Sequence, residues 1–133
     1  MLGNTWRLRA SNTQNQAITV TVKARYFKFA SDGSLSWSTE QTLINAVSVS
    51  ATTGTTASST VDNSTDKYLG AELTASFTAA AATNGTGSVA LSLERSTDAG
   101  TTWPTQDKGM AVGSYTLVAG DGTSARLANF LIR

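Results

Sequence analysis

The stretch Ser88-Val-Ala-Leu-Ser-Leu-Glu-Arg-Ser-Thr-Asp-Ala-Gly-Thr-Thr-Trp-Pro104 constrains the fold of this chain more than any other. In its first half Val89, Leu91 and Leu93 fall on one side of an extended backbone, and Ser88, Ala90, Ser92 and Glu94 on the other. A period of two marks a strand with one buried face. The second half changes grammar. Asp98 accepts bonds from N–H groups of its own turn, Gly100 supplies a positive φ, and Trp103 is placed to return over the turn from the next strand. Strand, turn and strand in seventeen residues leave no room here for a helix.

The same alternation recurs along the chain. Residues 5–10 read as a short strand, followed by a polar turn over Ser11–Gln16. Residues 17–29 hold the strongest pattern, with Ile18, Val20, Val22, Ala24 and Tyr26 on one face and Thr19, Thr21, Lys23, Arg25 and Phe27 on the other. A slip of one residue would exchange the faces, so its register is firmly specified. Asp32-Gly33 marks a turn into a strand over Leu35–Ser38. A further strand covers 42–51, with an irregularity near Ile44-Asn45, and another covers Lys67–Thr78. Residues 52–66 are nearly all small and polar, with Val61 as their one sizeable apolar anchor; they read as an exposed edge strand or a loop. Residues 79–87 read as a connection and Pro104–Gly113 as a loop. Tyr115–Val118 and Arg126–Ile132 are the closing strands. Eight or nine short strands with turn signals between them predict one all-β domain over 1–133, an antiparallel β-sandwich of immunoglobulin-like or jelly-roll-like kind. In it, 126–132 pairs internally and 52–61 lies at an interface or a free edge.

Composition then narrows the chemistry. A 133-residue chain can bury a core without staples. It has no Cys for thiol chemistry and no His for general-base work or metal ligation. Charged residues make up 14%, well below the roughly 25% of typical domains, and net charge is +1. That balance gives no electrostatic case for nucleic acid or an anionic membrane. No apolar window spans a bilayer, and the N-terminus lacks the pattern of a secretory signal. What replaces charge is a neutral, hydroxyl-rich surface, suited to packing against neighbours.

Motifs for chemistry are sparse. Gly85-Thr-Gly87-Ser-Val-Ala90 matches the letters of a dinucleotide fingerprint, but a strand follows where a helix N-terminus is needed. Asp62-Asn-Ser64-Thr-Asp66 begins like a calcium loop, yet Lys67 stands at the glycine position and Leu73 at the bidentate glutamate position. Asn63 and Asn84 head formal glycosylation triplets. A hydrolytic acid pair would have to come from Glu94, Asp98 and Asp107, and Glu94 reads better as a surface partner of Arg95. Cofactors and metals are not expected. Trp6, Trp37 and Trp103 are either core residues or platforms for sugar rings; Trp103 is assigned to the core, and Trp6 and Trp37 remain open. Phe27 and Phe29 lie off the main apolar row and either cap the core or form an exposed patch for a partner. The contact candidates are therefore Trp6, Phe27, Phe29 and Trp37.

Ser96-Thr-Asp98-Ala-Gly100-Thr-Thr102-Trp103 resembles the Asp-box hairpin of sialidases and many other β proteins, matching every defining position over eight residues. In those families the box is a structural turn away from the active site, so the resemblance assigns Asp98, Gly100 and Trp103 a structural role only. A propeller is excluded by size, since one blade takes about 40–50 residues. Asp32, Ser36 and Trp37 repeat the spacing of Asp98, Thr102 and Trp103, either as a degenerate second copy or by coincidence. The 89–104 stretch together with Lys23-Ala-Arg-Tyr-Phe-Lys-Phe-Ala-Ser-Asp-Gly33 resembles, in style, the minor structural proteins of tailed bacteriophage virions. That resemblance implies a non-enzymatic head-decoration, collar or tail component, assembled in the host cytoplasm. It would bind copies of itself and a capsid, neck or tail surface. A carbohydrate-binding or host-attachment module is the alternative.

Overall fold

The structure, a computed structural model, describes residues 2–80, 87–104, 109–116 and 123–133. It is all-β. Among the described residues ten strands follow one another: β1 (Thr5–Asn12), β2 (Ile18–Phe29), β3 (Leu35–Trp37), β4 (Gln41–Val49), β5 (Gly54–Ala57), β6 (Val61–Asp62), β7 (Gly70–Ala79), β8 (Val89–Ser96), β9 (Met110–Tyr115) and β10 (Arg126–Ile132). The count exceeds the expected eight or nine because 52–66 holds two short strands. The connection over 81–86 and the Leu117-Val118 end of the predicted closing strand lie outside the described residues.

All pairing is antiparallel, in two five-stranded sheets. Sheet A runs β5-β1-β8-β9 with β6 also on β1; sheet B runs β10-β7-β2-β3 with β4 also on β2. They face each other as a β-sandwich. Sheet A contributes Trp6, Leu8, Ala10, Val89, Leu91 and Leu93 to the core, and sheet B contributes the Ile18–Tyr26 row, the Ala71–Ala79 row, Ile44, Val49 and Ile132. Trp6 meets Tyr26 edge-on at 5.9 Å between ring centroids. Phe77 stacks on Tyr115 at 5.3 Å. Both contacts join the sheets. The predicted faces of β2, β7 and β8 are therefore the observed ones, β10 pairs with β7 along its length, and β5 is an edge strand. The irregularity expected near Asn45 is a bulge: Val22 pairs with Ile44 and Val20 with Val47, with Ala46 at a φ of 49°.

Three local expectations need correction. The polar turn at 11–16 is partly strand, since β1 continues through Asn12, and both Asn12 and Gln14 are buried. Asn12 Nδ2 donates to the carbonyls of Gln16, Val49 and Ser50, while its Oδ1 accepts the Gln14 N–H. One amide thus ties sheet A to the end of β4. The predicted loop over 104–113 gives way to strand at Met110, where β9 begins and pairs with β8 through Tyr115. The suggested second Asp-box is not one, because Asp32 Oδ1 takes the N–H and hydroxyl of Ser34 instead of reaching residue 36.

The turn after β8 forms as its residue types require. Asp98 Oδ1 accepts the Ser96 hydroxyl at 2.6 Å and the Thr102 N–H at 2.8 Å. Gly100, at a φ of 93°, donates its N–H to Ser96 Oγ. Trp103, however, is not in the core. It is half-buried outside sheet A, with the Arg7 guanidinium 4.3 Å from its ring centre. Hydrogen bonds from Ser96 and then Thr102 hold the Asp98 carboxyl down to about 2, below the ordinary 3.8. A depressed folded-state value stabilises the fold above the unfolded value and loses that contribution as pH falls through the folded one. The melting-temperature advantage of wild type over Asp98→Ala is therefore expected to be full above about pH 4 and to shrink toward pH 2. Thermal melts of both proteins across that range check it; an advantage that stays constant or grows on acidification counts against the assigned bonds.

Candidate contact surface

The outer face of sheet B carries the exposed apolar groups that the sequence only partly indicated. The β2–β3 hairpin closes at Asp32-Gly33, with the Ala30 N–H on the Ser34 carbonyl at 2.8 Å and Gly33 at a φ of 80°. Its register sets Phe27 opposite Trp37 and Phe29 opposite Leu35. Residues two apart on a strand share a face, so all of these side chains project from one side of the hairpin. Phe27 and Trp37 touch, with ring centroids 5.3 Å apart. Arg25 lies 5.5 Å from the Trp37 ring centre. Phe29, Leu35 and Trp37 remain 63%, 49% and 40% exposed. Single apolar residues on a surface are ordinary, whereas a contiguous set marks a contact site.

Gly70 makes the patch possible. A Cβ there would stand 2.4 Å from Phe27 Cζ and 2.1 Å from the Ile132 carbonyl oxygen. The bare backbone thus seats the Phe27 ring, which is why Phe27 is only half-exposed while Phe29, beyond the seat, is open. At the opposite flank of the same face, Leu127 and Leu131 on β10 are 70% and 48% exposed. Between the flanks the face is polar, with Glu72, Thr74 and Ser76 of β7 beside Arg25, Lys23 and Thr21 of β2.

Of the contact candidates, the structure brings Phe27, Phe29 and Trp37 together and removes Trp6. Trp6 is wholly buried beneath Tyr26, so it offers no face to a partner or a sugar. Leu35, Leu127 and Leu131 were missed. Leu35 could have been found by counting outward from Asp32-Gly33, which sets it opposite Phe29. The leucines of β10 could not, because alternation does not reveal which strand ends at a sheet edge.

Two of the three acids suggested for hydrolysis, Glu94 and Asp98, are engaged elsewhere. Glu94 does not pair with Arg95 on the surface. It is 1% exposed, on the outer side of sheet A, and its two carboxylate oxygens accept the Nε–H groups of Arg7 and Arg9, each at 2.6 Å. Gly109 lies over it, close enough that a Cβ would come within 3.2 Å of Glu94 Cγ. Asp98 is held in its turn, and Asp107 lies outside the described residues. Asp62 Oδ1 accepts the Ser64 N–H, and its carboxyl is lowered by Ser64's hydrogen bonds, as a turn residue's would be. A cleft of about 580 Å³ lies beside the Asp98 turn, lined by Gly3, Asn4, Asp62, Arg95 and Ser96 among others. Comparison of the chain with protein-family models, with curated proteins and with solved structures gives no match.

Proposed function

We propose that this chain is a non-enzymatic structural protein that works by contact, binding copies of itself and a neighbouring protein surface through the outer face of sheet B. Its resemblance to tailed-bacteriophage virion components gives the setting: a head-decoration, collar or tail piece next to capsid, neck or tail proteins. The observation that supports this reading is the grouping of Phe27, Phe29, Leu35 and Trp37 on one side of one hairpin, with Phe29, Leu35 and Trp37 open to solvent. Burying such side chains stabilises an interface by about 1.5–3 kcal/mol each, before the costs of association. A low-charge surface around them opposes the approach of identical copies only weakly.

A glycan-binding module is less well supported. Stacking on a sugar would use two exposed Trp or Tyr rings sharing a face, and among the described Trp and Tyr residues only Trp37 is exposed. Fluorescence separates the readings. Trp37 emission is expected to move to shorter wavelength as protein concentration rises and to stay unchanged with soluble glycans. Trp37→Phe should remove that shift. A glycan-induced change in the wild type, absent from Trp37→Phe, would favour attachment over assembly.

A further inference from the structure

At one end of the sandwich, between the sheets, a cavity of about 60 Å³ is lined by Trp6, Tyr26, Gln41, Asp62, Asn63 and Tyr68, among others. Two of its residues carry polar atoms that have lost contact with solvent and have no partner among the described residues: Trp6 Nε1 and Tyr26 Oη. Their side chains are among the most buried in the chain. Asn63, on the same wall, bonds neither of them; its amide donates to the Tyr68 carbonyl and accepts the Tyr68 N–H, at 3.0 and 2.8 Å. Buried donors in folded proteins are nearly always paired with protein or with ordered water.

We infer that this cavity is a hydration site, in which ordered water accepts the Trp6 indole N–H and bonds the Tyr26 hydroxyl, joining the two sheets through their edge-on aromatic pair. The chemistry selects the occupant. An indole N–H only donates, so the ligand must accept; a phenol gives or takes a hydrogen bond, so the ligand must be able to answer either way. An ammonium group offers no acceptor to the indole. A purely apolar guest satisfies neither group. Water does both, and the space exceeds the roughly 30 Å³ that one molecule occupies in the liquid, with polar walls to complete its bonds. Burial, and next the neighbouring Tyr68, push the Tyr26 phenol up to about 12, so it stays protonated and able to donate. The site is independent of the contact surface, which lies on the outer side of sheet B.

A high-resolution crystal structure of the full chain, repeated under xenon pressure, is the direct test. The expected result is water within hydrogen-bond distance of Trp6 Nε1 and Tyr26 Oη, no xenon in the cavity, and a magnetisation-transfer peak from water to the Trp6 indole proton in solution. Tyr26→Phe, which keeps the ring, should lose the bond on the tyrosine side and retain the water at Trp6. A dry cavity that takes up xenon, or a Trp6 indole bonded to a protein atom with no water beside it, would overturn the inference.

Discussion

Glu94→Ala is expected to lower the stability of this domain by about 3–5 kcal/mol, the range seen when one partner of a buried ion pair is deleted. For a chain of this size that corresponds to a fall in melting temperature of roughly 10–20 °C. The carboxylate is almost wholly enclosed and answers two guanidinium groups, whose side chains are only 21% and 17% exposed. Removing it leaves two cations side by side on one face of β1, with no anion between them. Arg7 keeps its contact with the Trp103 ring, so Arg9 is the more exposed to the loss. Glu94→Gln tests the same point with the shape preserved, and should recover only a minor part of the deficit. Thermal and urea unfolding of both variants measure it; a change under about 1 kcal/mol in either would mean that Glu94 does not bridge the two arginines.

Asn12→Ala is the second large effect, about 2–4 kcal/mol, from buried backbone groups left without partners at about 1–3 kcal/mol apiece. Its amide serves carbonyls on two segments and its oxygen holds the Gln14 N–H. Gln14 in turn reaches the Gly87 carbonyl at 2.8 Å, so the damage spreads to the start of β8. Urea titration gives the magnitude, and hydrogen exchange gives the location. Amide protection is expected to fall first at Gln14 and at Thr52, whose N–H bonds the Gln14 carbonyl.

These two residues owe their burial to contacts that no local pattern encodes. The core faces of β2, β7 and β8 were legible because a two-residue period says directly which side chains share a face. The hairpin patch was legible in part for the same reason, since Phe27 and Phe29 stand opposite in phase to the Ile18–Tyr26 row. Asn12 and Gln14 looked like solvated turn residues because their types say nothing of the carbonyls they meet from β4 and from Gly87. Glu94 looked like a surface residue because its partners lie on β1, and only the pairing of Arg7 with Glu94 and Arg9 with Ser92 brings them within reach. Trp6 and Trp37 occupy similar alternating segments, and their fates diverge by phase: one shares its face with Leu8 and Ala10, the other stands across from Phe27. Trp103 departs from its expected core place because the chain just after the Asp98 turn lies over the outside of sheet A, against Arg7.

Light scattering over a wide concentration range, on wild type and on a Phe29→Ser/Leu35→Ser/Trp37→Ser variant, measures most directly whether the hairpin face is a place of assembly. The wild type should rise in mass above the 13.8 kDa of one chain as concentration increases, while the variant, with an unchanged β-sheet spectrum, should stay at that mass. Equal masses for the two proteins at every concentration, with both folded, would contradict the assignment of this face to contact between copies.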